Sequence, residues 1–356
     1  MDVGLTSEQL ALRDTVRGIL RAECPPDAAR QACEDPDRWR TLWKTFVDLG
    51  WAELAWCHPG GEFGPVELTV VLEECGAAVA PVPMLSSIGL AAALLRAAGP
   101  QVGTDVGEVL AEIASGVVAT LAVHSPGSRL PGAPVTLRDG RLRGRAVAVP
   151  HAARAELIVT LAESDRGQVA AVARAGAGVT VAPAECTDPA QPVADVEIDA
   201  APLAVAPVAS VESALAAPLV SIAADLVGVA AAALQRSVEH AKTRRQFGSS
   251  IGAFQGVKHA LADNYVSVER ARSLTYAAAA RLGGPDSWTS AALAKAAAAD
   301  AASACARAMV QVHGALGQTW EHDAHLYVRH AWQGAALLGD SRTLYHEVGR
   351  RFAEGH

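Results

Sequence analysis

Two stretches in the C-terminal part of the chain hold residues whose types and spacing suit recognition of a phosphate-bearing ligand. The first is RRQFGSSIGAFQGVKHALAD, Arg244 to Asp263. A guanidinium at a helix end presents a fork of donors that matches a phosphate, and Arg244 or Arg245 stands at such an end. Gly248 permits a tight backbone turn. Gln255, opening the following helix, adds a polar contact. An ordinary helix–helix loop with solvated arginines has the same composition, so chemistry alone leaves both readings open. The second stretch is VQVHGALGQTWEHDAHLYVRHA, Val310 to Ala331. Gly314 and Gly317 break a helix after Gln311 and His313, and backbone without side chains can approach a pyrophosphate closely. Helix termination explains the same two glycines. His313, His322, Asp323 and His325 are of metal-ligating type. The i, i+3 pair His322/His325 lies at a polar helix start, however, where solvated or hydrogen-bonded imidazoles are the expectation and a metal is not.

The elements that must position these segments follow from patterning. From Thr6 to about Ser115 the periodicity is helical. TSEQLALRDTVRGILRAEC opens on a cap, Thr6 or Ser7, and sets Leu10, Leu12, Val16 and Leu20 on one side. DRWRTLWKTFVDLGW repeats the amphipathic pattern and ends at a glycine. PVELTVVLEECGAAVAP is closed by Pro81 and Pro83, and helices over SSIGLAAALLRAAG and near GEVLAEIASG follow. From about Val117 to Ala204 short apolar or alternating runs replace the helices, with RDGR as a hairpin signal. DPAQPVADVEIDAAPLAVAP reads as an exit strand and linker. Four long helices follow at roughly 212–242, 251–283, 286–315 and 322–351, the pattern of an antiparallel bundle. The predicted fold is mainly α with a β-domain: an N-terminal helical domain (1–116), a central β-barrel-like domain (117–207) and a C-terminal four-helix bundle (208–356).

Composition supports this and removes some function classes. Alanine, the residue with the lowest cost of entering a helix, fills runs such as LAKAAAADAASACARAM. The formal net charge of -8, with only short basic runs, argues against a nucleic-acid partner. The six cysteines, Cys24, Cys33, Cys57, Cys75, Cys186 and Cys305, show no CxxC spacing and read as buried reduced thiols of a cytoplasmic protein. The polar start MDVGLTSEQLALRD is not a signal peptide. The most apolar stretch, Ala214–Leu234, contains Asp225 and reads as a buried bundle helix rather than a membrane span.

Taken together, RRQFG with its following FQ, K and LAD, and QVHGALG at the right separation, resemble the acyl-CoA dehydrogenase family. The order of helical, β and helical regions is similar along the whole chain. The resemblance implies FAD shared across a subunit interface. It implies that Arg244, Gln246, Phe247 and Gln255, with Gln311, Gly314 and Gly317, hold the ADP part of an FAD whose flavin ring sits in the neighbouring subunit. Ala315 replaces the family's usual second glycine.

The resemblance fails where the family keeps its catalytic carboxylate. One of its two base positions falls on Leu338, in ALLGDS, and the other on Pro218. Neither side chain can accept a proton. Asp340, two residues past the first position, is the remaining candidate for a displaced base. For Asp225, about two turns past the second, a helix-capping or buried ion-pair role is expected. Ala148 stands where a tryptophan usually packs on the flavin, and Pro150, which lacks a backbone donor, where a threonine bonds it.

One explanation joins these losses: the chain pairs with a complete homologue whose flavin site it finishes. The family includes α2β2 heteromers in bacterial steroid side-chain degradation. The implied function is the non-catalytic subunit of an FAD-dependent acyl-CoA dehydrogenase, acting with a catalytic partner on an acyl-CoA, with an electron-transfer flavoprotein as a candidate acceptor. The alternatives are an active homo-oligomer using Asp340 and a flavin-free scaffold of the same fold.

Overall fold

The computed structural model describes residues 4–25, 28–35, 37–57, 63–98, 104–176 and 178–354. The side chain of Cys33 lies outside the described residues. The first helices are α1 (Ser7–Glu23), α2 (Ala28–Glu34), α3 (Trp39–Asp48), α4 (Pro65–Ala77), α5 (Ala93–Ala97) and α6 (Thr104–Ala114). Thr6 caps α1 in a reciprocal box: its hydroxyl accepts from Gln9 N at 3.2 Å, and Gln9 Oε1 accepts from Thr6 N at 3.0 Å. After α3, Gly50 takes the left-handed conformation (φ 76°) that ends the helix. The fourth predicted helix departs from the expected geometry. Its first part, Leu85–Ala92, is π-helical before passing into α5.

Strands β1 (Ala119–Ala122), β2 (Val135–Arg138), β3 (Arg141–Pro150), β4 (Leu157–Ser164), β5 (Gly167–Arg174), β6 (Val179–Pro183), β7 (Val193–Ala200) and β8 (Ala204–Pro207) form one sheet. Its path runs β6-β7-β3-β2-β4-β5-β8, with β1 parallel to β4. The RDGR signal makes the β2–β3 hairpin, with Asp139 and Gly140 both at positive φ, as a two-residue primed turn requires. LIVTLA of β4 is buried throughout, which explains its unbroken apolar run. APLAVAP is not merely linker, because β8 within it pairs with β5 and extends the sheet.

The remaining elements are α7 (Val211–Thr243), a small hairpin of β9 (Arg245–Gln246) and β10 (Ser249–Ser250), then α8 (Gln255–Ala280), α9 (Ser287–His313), α10 (Ala324–Ala336) and α11 (Ser341–Glu354). By length and composition α7 is apolar enough to cross a membrane, but 89% of its most apolar window is buried inside the protein. It lies against α4 at backbone contact. A Cβ on Gly228 would sit 1.9 Å from the Glu73 carbonyl oxygen, and one on Gly76 would sit 2.0 Å from that of Asp225. The fourth predicted bundle helix is two helices, α10 and α11. Leu338 (φ 56°) and Gly339 (φ 103°) both leave helical space between them, so 337–340 is a turn.

Candidate functional site

The two motifs read from the sequence meet at one end of the bundle. α7 ends at Thr243 with Arg244 as its C-cap, and α9 ends at His313. The rings of His240 and His313 stack at 4.1 Å between centroids, and His322 follows at 4.5 Å from His313. Burial, His313 and Arg244 push the His240 imidazole below its ordinary value. This end is open. Arg244, Gln246, Phe247, Gln255, Gln311 and Gly314 are exposed, and only Gly317 is buried. Gly317 has no room for a side chain, since a Cβ would meet the Val310 carbonyl oxygen at 2.9 Å. Gly314 (φ 63°) has open space around it. No ion pair engages Arg244 among the described residues, whereas Arg245 donates to the Gly248 carbonyl at 3.1 Å and closes the hairpin.

Phe247 is 93% exposed and holds a left-handed backbone (φ 51°), a conformation costing a non-glycine residue roughly 1–2 kcal/mol. Its ring touches Phe254 edge-on at 6.1 Å. Leu316 and Trp320 are also about half exposed. Exposed apolar groups of this size on a strained turn suit a surface that another molecule covers.

The histidines of the second motif have partners within the chain. His322 Nδ1 accepts from Ala324 N at 3.1 Å, and His325 donates to the Trp320 carbonyl at 3.1 Å while stacking on its indole. Asp323 pairs with Arg30 at 2.7 Å and Arg236 at 3.5 Å. Among the described residues no group of three or more His, Cys, Asp or Glu is placed to hold a metal ion.

The positions read as the failed flavin-ring site and the displaced-base candidate Asp340 come together in a second place. Ala148 and Pro150 from β3, His124 after β1, and Leu337 and Asp340 from the α10–α11 turn line a cavity of about 310 Å3. Leu338 is 1% exposed. Its backbone N–H donates to His124 Nε2 at 3.2 Å. Burial and the neighbouring Lys295 push the His124 imidazole down to about 4. His124 is therefore neutral near pH 7 with its lone pair already engaged, a poor proton acceptor. Asp340 is occupied as well: Oδ1 accepts from Thr343 N at 2.8 Å, capping α11. That bond and those of the Thr343 side chain hold its carboxyl below the usual range, away from the near-neutral value a general base needs. Pro218 is buried inside α7 and is not on the wall of this cavity. The loop thus offers no free, suitably tuned carboxylate among the described residues.

Lys295, His330 and Asp188, all buried near this region, escaped sequence reading. Lys295, fully buried on α9, donates to the carbonyls of Ala335 at 2.6 Å and Gly339 at 2.5 Å, tying both sides of the 337–340 turn. Burial pushes its ammonium down to about 7, against the pull of Asp340 and Asp300. His330 on α10 lies between Asp225 of α7 at 2.8 Å and Asp188 of the β6–β7 connection at 2.7 Å. The Asp225 contact is an aligned hydrogen bond. The Asp188 contact is an ion pair without that alignment. Burial opposes the charge, but the two carboxylates outweigh it and hold the imidazolium well above its ordinary value. Asp225 is thereby the buried ion-pair residue its sequence position suggested. Alanine-rich flanks hide Lys295 in sequence, and the His330 clamp joins residues too distant along the chain for spacing to reveal.

A dinucleotide cofactor can be tested against these two places. The open end fits an adenosine diphosphate moiety: an unpaired guanidinium, a glycine turn with space above it, and exposed amides. The closed cavity does not fit a flavin ring on the family's pattern, because Pro150 has no N–H, Ala148 has no ring and His124 is engaged.

Comparison with known proteins agrees with the architecture. The acyl-CoA dehydrogenase N-terminal domain model matches residues 6–105, and the acyl-CoA dehydrogenase C-terminal domain model matches 208–352. The chain is 32% identical over 352 residues to acyl-CoA dehydrogenase IpdE2 of Mycolicibacterium smegmatis, covering 95% of this chain and 96% of that protein. It is 30% identical to acyl-CoA dehydrogenase FadE27 of Mycobacterium tuberculosis, covering 99% of each. Among solved structures it superposes on one chain of the ChsE4–ChsE5 complex from Mycobacterium tuberculosis with a TM-score of 0.86 and 30% identity, covering 99% of this chain and 99% of that one. One chain of the Tcur3481–Tcur3483 steroid ACAD (G363A variant) gives a TM-score of 0.87 at 27% identity, with 98% of this chain and 98% of that one covered.

Proposed function

The chain belongs to the acyl-CoA dehydrogenase family, and from that premise we propose that it is the non-catalytic subunit of a cytoplasmic heteromeric dehydrogenase that introduces an α,β double bond into an acyl-CoA. The observation carrying this reading is the loop around Leu338. A buried leucine stands where the family resemblance expects a carboxylate, and the ionisable groups beside it, His124, Asp340 and Lys295, are committed to other bonds. The α-proton therefore goes to a carboxylate on a partner subunit. FAD, when bound, supplies the acceptor for the hydride leaving Cβ. Arg244 binds its diphosphate as a charge-assisted donor, with Gln246, Gln255 and Gln311 as polar contacts. Gly314 and Gly317 let the backbone approach, and Phe247 seats the hairpin against the partner. The flavin ring would be held by the partner subunit. In this reading 1–116, 117–207 and 208–356 act as three domains. The solved relatives described as a two-protein complex and as a steroid ACAD support a heteromer acting on a steroid side-chain thioester, with an electron-transfer flavoprotein as acceptor.

Producing the chain alone and together with a catalytic homologue tests the proposal. The expected result is little flavin absorbance and no thioester oxidation for the chain alone, and bound FAD with activity for the pair. A chain that alone carries a full complement of FAD and oxidises an acyl-CoA overturns it in favour of an active homo-oligomer. No flavin in either preparation favours the scaffold reading.

A further inference from the structure

A cavity of about 310 Å3 lies between α4, α5, α7 and the start of α9. It shares no described wall residue with the cavity beside Leu338. Small side chains make the space: Ala93 and Ala97 from α5, and Ala216 and Ala217 from α7. The polar wall is nearly spent. Thr69 donates to the Pro65 carbonyl, Ser213 to Ser210, Ser221 to Ala217, and Ser287 to Arg281 and Gly284.

Arg96 is the exception. Its guanidinium has five N–H donors, and the structure uses only Nη1, which donates to the carbonyls of Ala55 at 2.8 Å and Leu54 at 3.4 Å. No carboxylate pairs with it among the described residues. Burial pulls its pKa below the ordinary arginine value, the direction expected of a desolvated cation without a counter-charge. Two long helices also begin beside the wall, α7 near Ser213 and α9 at Ser287. Their first turns add positive partial charge.

We propose that this cavity binds a compact apolar molecule ending in a carboxylate, with the carboxylate on Arg96 and the tail among the alanines. Arg96 is half-buried, and a cation partly withdrawn from water with no anion beside it among the described residues is destabilised. A carboxylate paired through the guanidinium's free edge removes that cost and adds two charge-assisted bonds. A neutral apolar ligand would leave the cation unpaired, and a second cation would repel it.

Octanoate titrated into the full chain by calorimetry is the test, with octan-1-ol and octylamine as neutral and cationic controls. Octanoate binds and the controls bind at least about tenfold more weakly. The Arg96→Gln variant loses octanoate to the same degree. Because Nη1 also ties down the Ala55 turn, Ala217→Leu serves as a second variant: it fills the space, keeps Arg96, and abolishes octanoate binding. The mono-coenzyme A thioester of octanedioic acid distinguishes sources. Arg96-dependent binding of it assigns the tail of a larger thioester, and binding of octanoate alone assigns a free acid. No binding of either carboxylate, equal binding of octanol, or octanoate affinity unchanged in Ala217→Leu overturns the proposal.

Discussion

The bundle treats charge in opposite ways at two places. At the end where α7 and α9 stop, Arg244 is exposed without an ion pair among the described residues, and Phe247 stands 93% exposed on a strained turn. Where the bundle meets the sheet, each described buried charge is answered within the chain. Lys295 has two carbonyls, His330 has two carboxylates, and the Leu338 amide has His124. The first place leaves an arginine without a carboxylate partner among the described residues. At the second, the described ionisable groups are each engaged within the chain. This is the distribution that the proposed non-catalytic subunit requires.

The sharpest test of the closed side is the His330 clamp. Asp225→Ala leaves a buried imidazolium with one misaligned partner and should lower stability by about 3–5 kcal/mol, read as a shift in the urea midpoint. The pH dependence has a defined sign. The folded pKa of His330 lies above its ordinary 6.5, so the folded state holds a proton more tightly than the unfolded chain does. Its contribution is fully present just below about pH 6.5 and fades as pH rises through the folded pKa. The stability gap between the native chain and His330→Gln should therefore narrow above neutrality. A gap that widens with pH would mean His330 is neutral and the inner region is not charge-balanced as described.

The open side is tested next. Arg244→Ala in the two-subunit complex should weaken FAD retention by roughly tenfold or more, the loss of a charge-assisted bond. The melting temperature of the isolated chain should not change, because Arg244 has no ion pair among the described residues. Unchanged FAD content would remove Arg244 from the cofactor contacts. A destabilised chain would mean this end is not open after all.

These two places were unequally legible in the sequence. The open end is local: an arginine at a helix end, a two-residue turn and glycines after a helix are read from spacing, and the structure brings them together through the His240–His313 stack. RDGR likewise announced its hairpin. The closed side depends on contacts across the chain. Asp188, Asp225 and His330 come from three elements, and no periodicity links them. The break between α10 and α11 was missed because ALLGDS carries helical residues up to Leu338, and a leucine at positive φ is not a sequence signal. APLAVAP looked like linker because its prolines masked a short strand at the sheet's margin.

A smaller effect separates folding from docking at Phe247. Phe247→Asn places Asn-Gly in a turn whose two central residues both have positive φ, the preferred pair for such a hairpin. The isolated chain should gain about 0.5–1 kcal/mol as strain is relieved. Association with the catalytic partner should weaken, measured as a raised Kd by sedimentation or light scattering. A variant that is stabilised and still associates as tightly would show that the exposed ring is not an interface group.

The smallest expected change is at Asp340, and it bears most directly on whether the closed side is catalytically silent. Asparagine caps a helix about as well as aspartate, so Asp340→Asn keeps the bond from Thr343 N and should cost only a few tenths of a kcal/mol. If the carboxylate is a cap, thioester oxidation by the complex should stay within about twofold of the native rate, since no proton passes through it. If it is a displaced base, the same substitution removes the acceptor and activity should fall by several orders of magnitude with the fold intact. The cap reading predicts the first because the carboxylate's pKa is held below the usual range rather than raised toward neutrality, and a base so tuned would draw the α-proton only weakly.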